Sequence, residues 1–192
     1  MSLRAIKDII SEALQVKMTL LSDAALLAEV NEIVRAIVMT YRGGGKVLFC
    51  GNGGSAGDAQ HLAGELSGRF LMERDPLFAE ALHVNTSFLT AVSNDYGFDE
   101  AYARMVLAAG DAGDVLIALS TSGNSPNILA AANSARETGM QVFGMTGKTG
   151  GKLLPLCDRI LRVPSTHTPR IQEVHILLGH VICELVEKEL FA

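Results

Sequence analysis

From Lys46 onward, short apolar runs alternate with stretches of helical period. The runs are 47–50, 80–84, 115–120, 142–146 and 159–163, and the helical stretches 55–68, 86–94, 99–109 and 126–138 separate them, with a long final one over 170–190. Short apolar strands separated for the most part by helices pack as a parallel sheet covered on both faces. The chain is therefore expected to be α/β, with a doubly wound, five-stranded parallel sheet. In such sheets ligands bind beyond the carboxyl ends of the strands, where the strand order reverses.

Residues 3–42 read as two helices. In the first, Ile6, Ala13 and Leu20 repeat every seven residues, with Ile9 and Val16 between them, the step of a helix-bundle seam. Ser22 and Asp23 supply a break and a cap. The second carries Leu26, Val30, Ile33 and Ile37 along one face and stops at Gly43-Gly44-Gly45. So broad an apolar surface suits a sheet, a neighbouring subunit, or both, and the pair is expected to serve in oligomerisation.

The third strand opens into Ser120-Thr121-Ser122-Gly123-Asn124-Ser125, and a helix begins at Pro126. Four hydroxyls, a glycine that lets the backbone approach, and a helix N-terminus make a phosphate cradle. No lysine or arginine lies in the loop, which suits a phosphomonoester better than a polyphosphate. The plain alternative is a hydroxyl-rich turn with a cap. Two nucleotide motifs fail. Gly51 to Ala56 fits the loose dinucleotide pattern, but the second strand ends His83-Val84-Asn85, without the acid that binds ribose. Gly147-Lys148-Thr149 lacks the glycine required five residues earlier, where Val142 stands.

On the helix after the first strand, His61 and Glu65 are one turn apart on one face, able to share a metal or divide acid and base work. A surface ion pair is the bland alternative, but this helix starts at the ligand crevice. Asp58 and Gln60 point to other faces and are expected to be ordinary exposed residues. In the last helix Gln172, His175 and His180 lie among apolar neighbours and need partners, and His175 reads as a satisfied helix histidine.

At 192 residues and 48% apolar content the chain can close one core. A net charge of -5 leaves no basic field for nucleic acid or an anionic membrane. The three cysteines lack CxxC spacing, and neither a signal peptide nor a membrane span is recognisable. A cytoplasmic setting is expected.

The blocks Cys50 to His61, Asn94-Asp95-Tyr96-Gly97, Ser120 to Ser125, Thr146-Gly147 with Gly150-Gly151, and Arg170-Ile171-Gln172-Glu173 with His180 resemble the phosphoheptose isomerase family of SIS-domain (sugar isomerase) proteins. The resemblance runs over essentially the whole chain. It implies a single SIS domain over 1–192, with a helical pair over 1–42 and a flavodoxin-like core over 43–192. It also implies a homotetramer that converts D-sedoheptulose 7-phosphate to D-glycero-D-manno-heptose 7-phosphate, the first step toward ADP-heptose for lipopolysaccharide. By the same resemblance His61, Glu65, Gln172 and His180 hold one zinc ion per subunit, and Glu65 and His180 are the catalytic base and acid. Asn52, Gly53, Gly54, Ser55, Glu65, Asn94, Asp95, Ser120, Thr121, Ser122, Ser125 and Gln172 bind the substrate. The chain departs from the family over Thr166-His167-Thr168-Pro169, where relatives often place an aspartate near the site.

Three rivals stand beside this reading. A related SIS protein binds the bacterial replication initiator, but lacks the carboxylate corresponding to Glu65. A sugar-phosphate-sensing regulator would carry a DNA-binding domain, for which this length and charge leave no room. An isomerase of another ketose phosphate shares all the chemistry. Finally, Gln172 and His180 are eight residues apart, about 12 Å of rise on one helix. A site at a subunit boundary is therefore expected, with at least one of His61, Glu65, Gln172 and His180 supplied by a neighbour.

Overall fold

The computed structural model describes residues 3–192. Two helices, α1 (Leu3–Ser22) and α2 (Ala24–Arg42), precede β1 (Val47–Cys50) and α3 (Gly54–Ser67). There follow β2 (Ala79–Ala81), α4 (Thr86–Tyr96), α5 (Ala101–Ala109), β3 (Val115–Ser120), α6 (Pro126–Thr138), β4 (Gln141–Thr146), β5 (Arg159–Arg162) and α7 (Thr168–Phe191). All strand pairs are parallel, in the order β2-β1-β3-β4-β5. The chain leaves β1 for one edge and returns to β3 on its other side, so the order reverses between β1 and β3. That places the crevice between the loops after these two strands.

Alternation along the strands divides the core in two. Val47 and Phe49 of β1 and Val115, Ile117 and Leu119 of β3 face α2, α3 and α7. Leu48, Cys50, Leu116 and Ala118 face α5 and α6. Residues two apart share a face, so strands four to six residues long feed both layers and are buried throughout β1 and β3.

Several boundaries differ from expectation, and three have a clear local cause. β2 ends at Ala81 rather than residue 84, because the chain turns at Leu82 and His83 and Asn85 then caps α4, its Oδ1 accepting from Phe88 N (3.0 Å). The helix expected over 99–109 opens as a 3-10 turn at Phe98–Glu100, after Gly97 at φ 93°. α7 starts at Thr168, with Pro169 in its first turn, where a missing N–H costs nothing.

α1 is the least covered element. Leu20 is its one buried residue, whereas Leu3, Ile6, Ile9, Ile10, Leu14, Met18 and Leu21 are all at least half exposed. Arg170 ties it to the body, donating from one Nη to Ile9 O (2.8 Å).

Candidate active site

The two crevice loops are locked to each other. Asn52, after β1, and Asn127, at the start of α6, exchange amide hydrogen bonds of 2.8 and 2.9 Å. Tyr102, buried on α5, donates from its hydroxyl to Gly51 O (2.7 Å). In the serine loop Ser120 Oγ lies 3.1 Å from Ser125 Oγ, and Ser122 Oγ accepts from Asn124 N (3.1 Å). Gly123 is required: at φ 66° it lies against Gly150, whose oxygen a Cβ would meet at 2.0 Å. Neither α3 nor α6 has a side-chain cap at its N-terminus. Most of their first N–H groups turn back onto the chain, Ser55 N to Asn52 O, Ala56 N to Gly53 O and Ile128 N to Ser125 O, so what each helix offers an anion in the crevice is chiefly the positive end of its dipole.

The chemical groups lie along α3. His61 Nε2 is 3.1 Å from Glu65 Oε1 and 2.8 Å from Nε2 of His180 on α7. One donor atom from each falls within 4.8 Å of the other two. The helices approach this closely because residue 179 is glycine: a Cβ there would lie 2.5 Å from the Leu62 methyl carbons. Two imidazoles and a carboxylate are a donor set that zinc accepts with a coordination position left open. Their mutual approach around one point is what a divalent cation needs, so the residues fit the group.

The helix that starts at the crevice, α3, thus also carries His61 and Glu65 to their meeting with His180 on α7. A SIS domain family profile matches residues 13–147. A phosphoheptose isomerase of Rhodospirillum rubrum is 59% identical over 87% of this chain and 87% of its own length. One from Burkholderia pseudomallei is 51% identical over 97% and 94%. The chain belongs to the SIS-domain phosphoheptose isomerases. The solved phosphoheptose isomerase of Francisella tularensis superposes with a TM-score of 0.94 at 38% identity, over 98% of this chain and 99% of that one. That of Neisseria gonorrhoeae gives 0.90 at 40%, over 96% and 98%. The protein is accordingly an enzyme, an isomerase.

Not every expected site residue gathers in this isomerase at the His61–Glu65–His180 cluster. Gln172 lies two turns away along α7, its amide against Gly54, where a Cβ would meet Nε2 at 2.6 Å. α7 is one unbroken helix, so in a single chain Gln172 faces the start of α3 while His180 faces His61. Asn94 and Asp95 are exposed at the end of α4, where Asn94 donates to Asp95 (2.9 Å). Ser55 is buried, Ser120 is buried, Thr121 and Ser125 are half-buried, and Ser122 is exposed.

One expectation is corrected. Asp58 is not an ordinary exposed residue: it is half-buried, with one carboxylate oxygen buried and unpartnered among the described residues. Burial raises its pKa, and the imidazoles of His61 and His180 pull it back. His61, Glu65 and His180 meet within one chain, whereas Gln172 does not join them. Asn127 and Tyr102, which shape the crevice, and Phe70, which lies on His180, escaped the sequence reading. Asn127, a buried polar residue directly after Pro126, carried the only usable signal.

Proposed function

We propose that this isomerase interconverts D-sedoheptulose 7-phosphate and D-glycero-D-manno-heptose 7-phosphate, as a cytoplasmic homotetramer serving ADP-heptose and lipopolysaccharide synthesis. The convergence of His61, Glu65 and His180 carries the reading. Ketose–aldose isomerisation needs one group that takes a proton from carbon and another that serves the adjacent oxygens. Glu65 removes a proton from C1 of the open ketose, a C1–C2 double bond forms, and the C2 oxygen takes a proton from His180. His180 then recovers the proton of the C1 hydroxyl as that oxygen becomes the aldehyde, and Glu65 returns its proton to C2. Both side chains end as they began.

Zinc, held by His61, Glu65 and His180, would polarise the substrate oxygens, and Gln172, which lies against Gly54 two turns away, falls outside that set. Glu65 has two oxygens, so one can face the ion and the other the proton. Nε2 of His180 cannot hold an ion and a proton together, so His180 acts as the acid only with that nitrogen free. Ser120, Thr121, Ser122 and Ser125 hold the phosphate. Asn52, Gly53, Gly54, Ser55, Asn94, Asp95 and Gln172 align the sugar chain. The open apolar side of α1 supports the tetramer.

Purified protein incubated with sedoheptulose 7-phosphate, and in parallel with fructose 6-phosphate, tests the assignment by NMR of the products. The heptulose is expected to equilibrate with its aldose and the hexulose to remain. Equal turnover of both, or of the hexulose alone, would sink it.

A further inference from the structure

The two helices that meet at the cluster are joined again, two turns beyond His180, by a buried ion pair. Arg74 and Glu187 have side chains 1% exposed, with Nε and Oε1 2.8 Å apart. The Glu187 carboxylate also accepts from three successive backbone N–H groups, those of Phe70 (3.0 Å), Leu71 (2.8 Å) and Met72 (2.9 Å). Arg74 spends its remaining donors on carbonyls at the end of α3, those of Glu65 and Leu66 at 2.9 Å and Gly68 at 3.3 Å, and on its neighbour Asp75 O at 2.9 Å. Burial by itself would raise the Glu187 pKa, but the three N–H groups and Arg74 outweigh it and hold the carboxyl below its ordinary range. A desolvated pair gains little net stability from its attraction alone. With this many partners it is a joint of fixed geometry.

Both ends of the joint touch the cluster. The guanidinium holds the backbone of Glu65 itself. The carboxylate holds the N–H of Phe70, whose ring stacks on the His180 imidazole with centroids 5.5 Å apart and planes at 22°. We propose that Glu187, Arg74 and Phe70 are positioning residues for the cluster, aiming the His180 ring and the Glu65 turn at a common point. Groups that fix ligand orientation from behind commonly change metal affinity or activity by about 10- to 100-fold. The proposal rests on the metal and proton-transfer roles given above.

A role in packing alone predicts a different pattern, because then any side chain that fills the space of Phe70 would leave the site unchanged. Phe70→Leu fills most of that space without a ring, and Phe70→Tyr keeps the ring. Zinc affinity is measured by chelator competition and turnover with sedoheptulose 7-phosphate, after circular dichroism confirms the fold. Phe70→Leu is expected to lose about tenfold or more in zinc affinity and kcat, with KM much less changed, and Phe70→Tyr to retain both. Glu187→Gln, which keeps the size of the carboxylate but can no longer satisfy all its donors, should move the same way. If it does not fold, the Phe70 pair decides. Wild-type zinc affinity and kcat in Phe70→Leu overturn the proposal. If the wild type itself binds no zinc, the metal assignment fails separately, and kcat of Phe70→Leu alone decides: a fall supports positioning, no change removes it.

Discussion

Nε2 of His61 and Nε2 of His180 face each other at 2.8 Å although 119 residues separate them in the chain. At that distance both nitrogens cannot carry protons, so the pair must share one proton or one cation. With Glu65 Oε1 alongside, a cation satisfies all three. Zinc should therefore raise the melting temperature of the wild type, and a chelator should lower it. Ligand at 100 times its dissociation constant is worth about 2.7 kcal/mol. His61→Ala and His180→Ala are each expected to lose this response. A variant that responds to zinc as strongly as the wild type removes that histidine from the site.

Glu65 is placed to work as a base with one oxygen turned to His61, which leaves its second oxygen for the proton. Glu65→Gln keeps the shape and loses the basicity, so kcat should fall by at least ~100-fold, the range for loss of general acid–base catalysis. Stopped-flow or NMR turnover on the folded variant checks this, and near-normal kcat would take Glu65 out of the proton transfer.

The serine loop makes a separate prediction. Ser122 Oγ accepts from the loop's own backbone and keeps its O–H to donate, while Ser125 opens α6 without spending its hydroxyl on a cap. A phosphate donor acts in ground and transition states alike, so Ser122→Ala and Ser125→Ala should raise KM more than they lower kcat. Each neutral donor is worth about 0.5–1.5 kcal/mol. Unchanged KM in both variants moves the phosphate elsewhere.

His175 sets part of the pH dependence of stability. It is fully buried, with Nε2 3.3 Å from Thr146 O and Nδ1 unpartnered among the described residues. Burial pushes its pKa down to about 4, against a small opposing effect of the Thr146 carbonyl. The unfolded chain takes up the proton near pH 6.5 and the folded chain does not. Its contribution is therefore intact above pH 6.5 and is lost as pH falls from there to about 4. The total is about 3 kcal/mol at most, from 1.36 kcal/mol per pKa unit. Urea midpoints across that range should fall more steeply in the wild type than in His175→Gln. Parallel slopes would show that His175 is not the group that titrates.

The alternation of short apolar runs was enough to place four of the strands almost to the residue, and for β1, β3 and β4 the reason is that a strand buried on both faces leaves an unbroken apolar signature. Ala79–Ala81 was harder, since its end is decided by a turn and by the Asn85 cap rather than by any change in hydropathy. His61 and Glu65 were legible as a pair because their spacing is local to one helix. Their meeting with His180 came only through the family resemblance, because it depends on the approach of α3 to α7 at Gly179, a contact that spacing within α7 cannot reveal. Asp58 was misread for a related reason: its face of α3 looks polar and free until α7 is packed beside it. Arg74 and Glu187 left no trace, since a buried ion pair is indistinguishable in sequence from two surface charges.

The same local meeting makes a prediction about which chain supplies which residue. Each subunit holds His61, Glu65 and His180 in one place, so an assembly of Glu65→Gln and His180→Ala subunits contains only singly broken clusters. Mixing the two inactive proteins under subunit exchange is expected to restore no activity, provided native mass spectrometry shows that exchange has taken place. Activity that returns with exchange would place Glu65 and His180 of working sites on different subunits. Assembly itself is expected to run through α1, whose exposed Ile6, Ile10, Leu14 and Met18 would otherwise stay in water. Light scattering should report a species larger than a monomer, and Ile10→Asp, which puts a charge on that surface, should shift it toward the monomer. An Ile10→Asp protein of unchanged mass would leave α1 out of the interface.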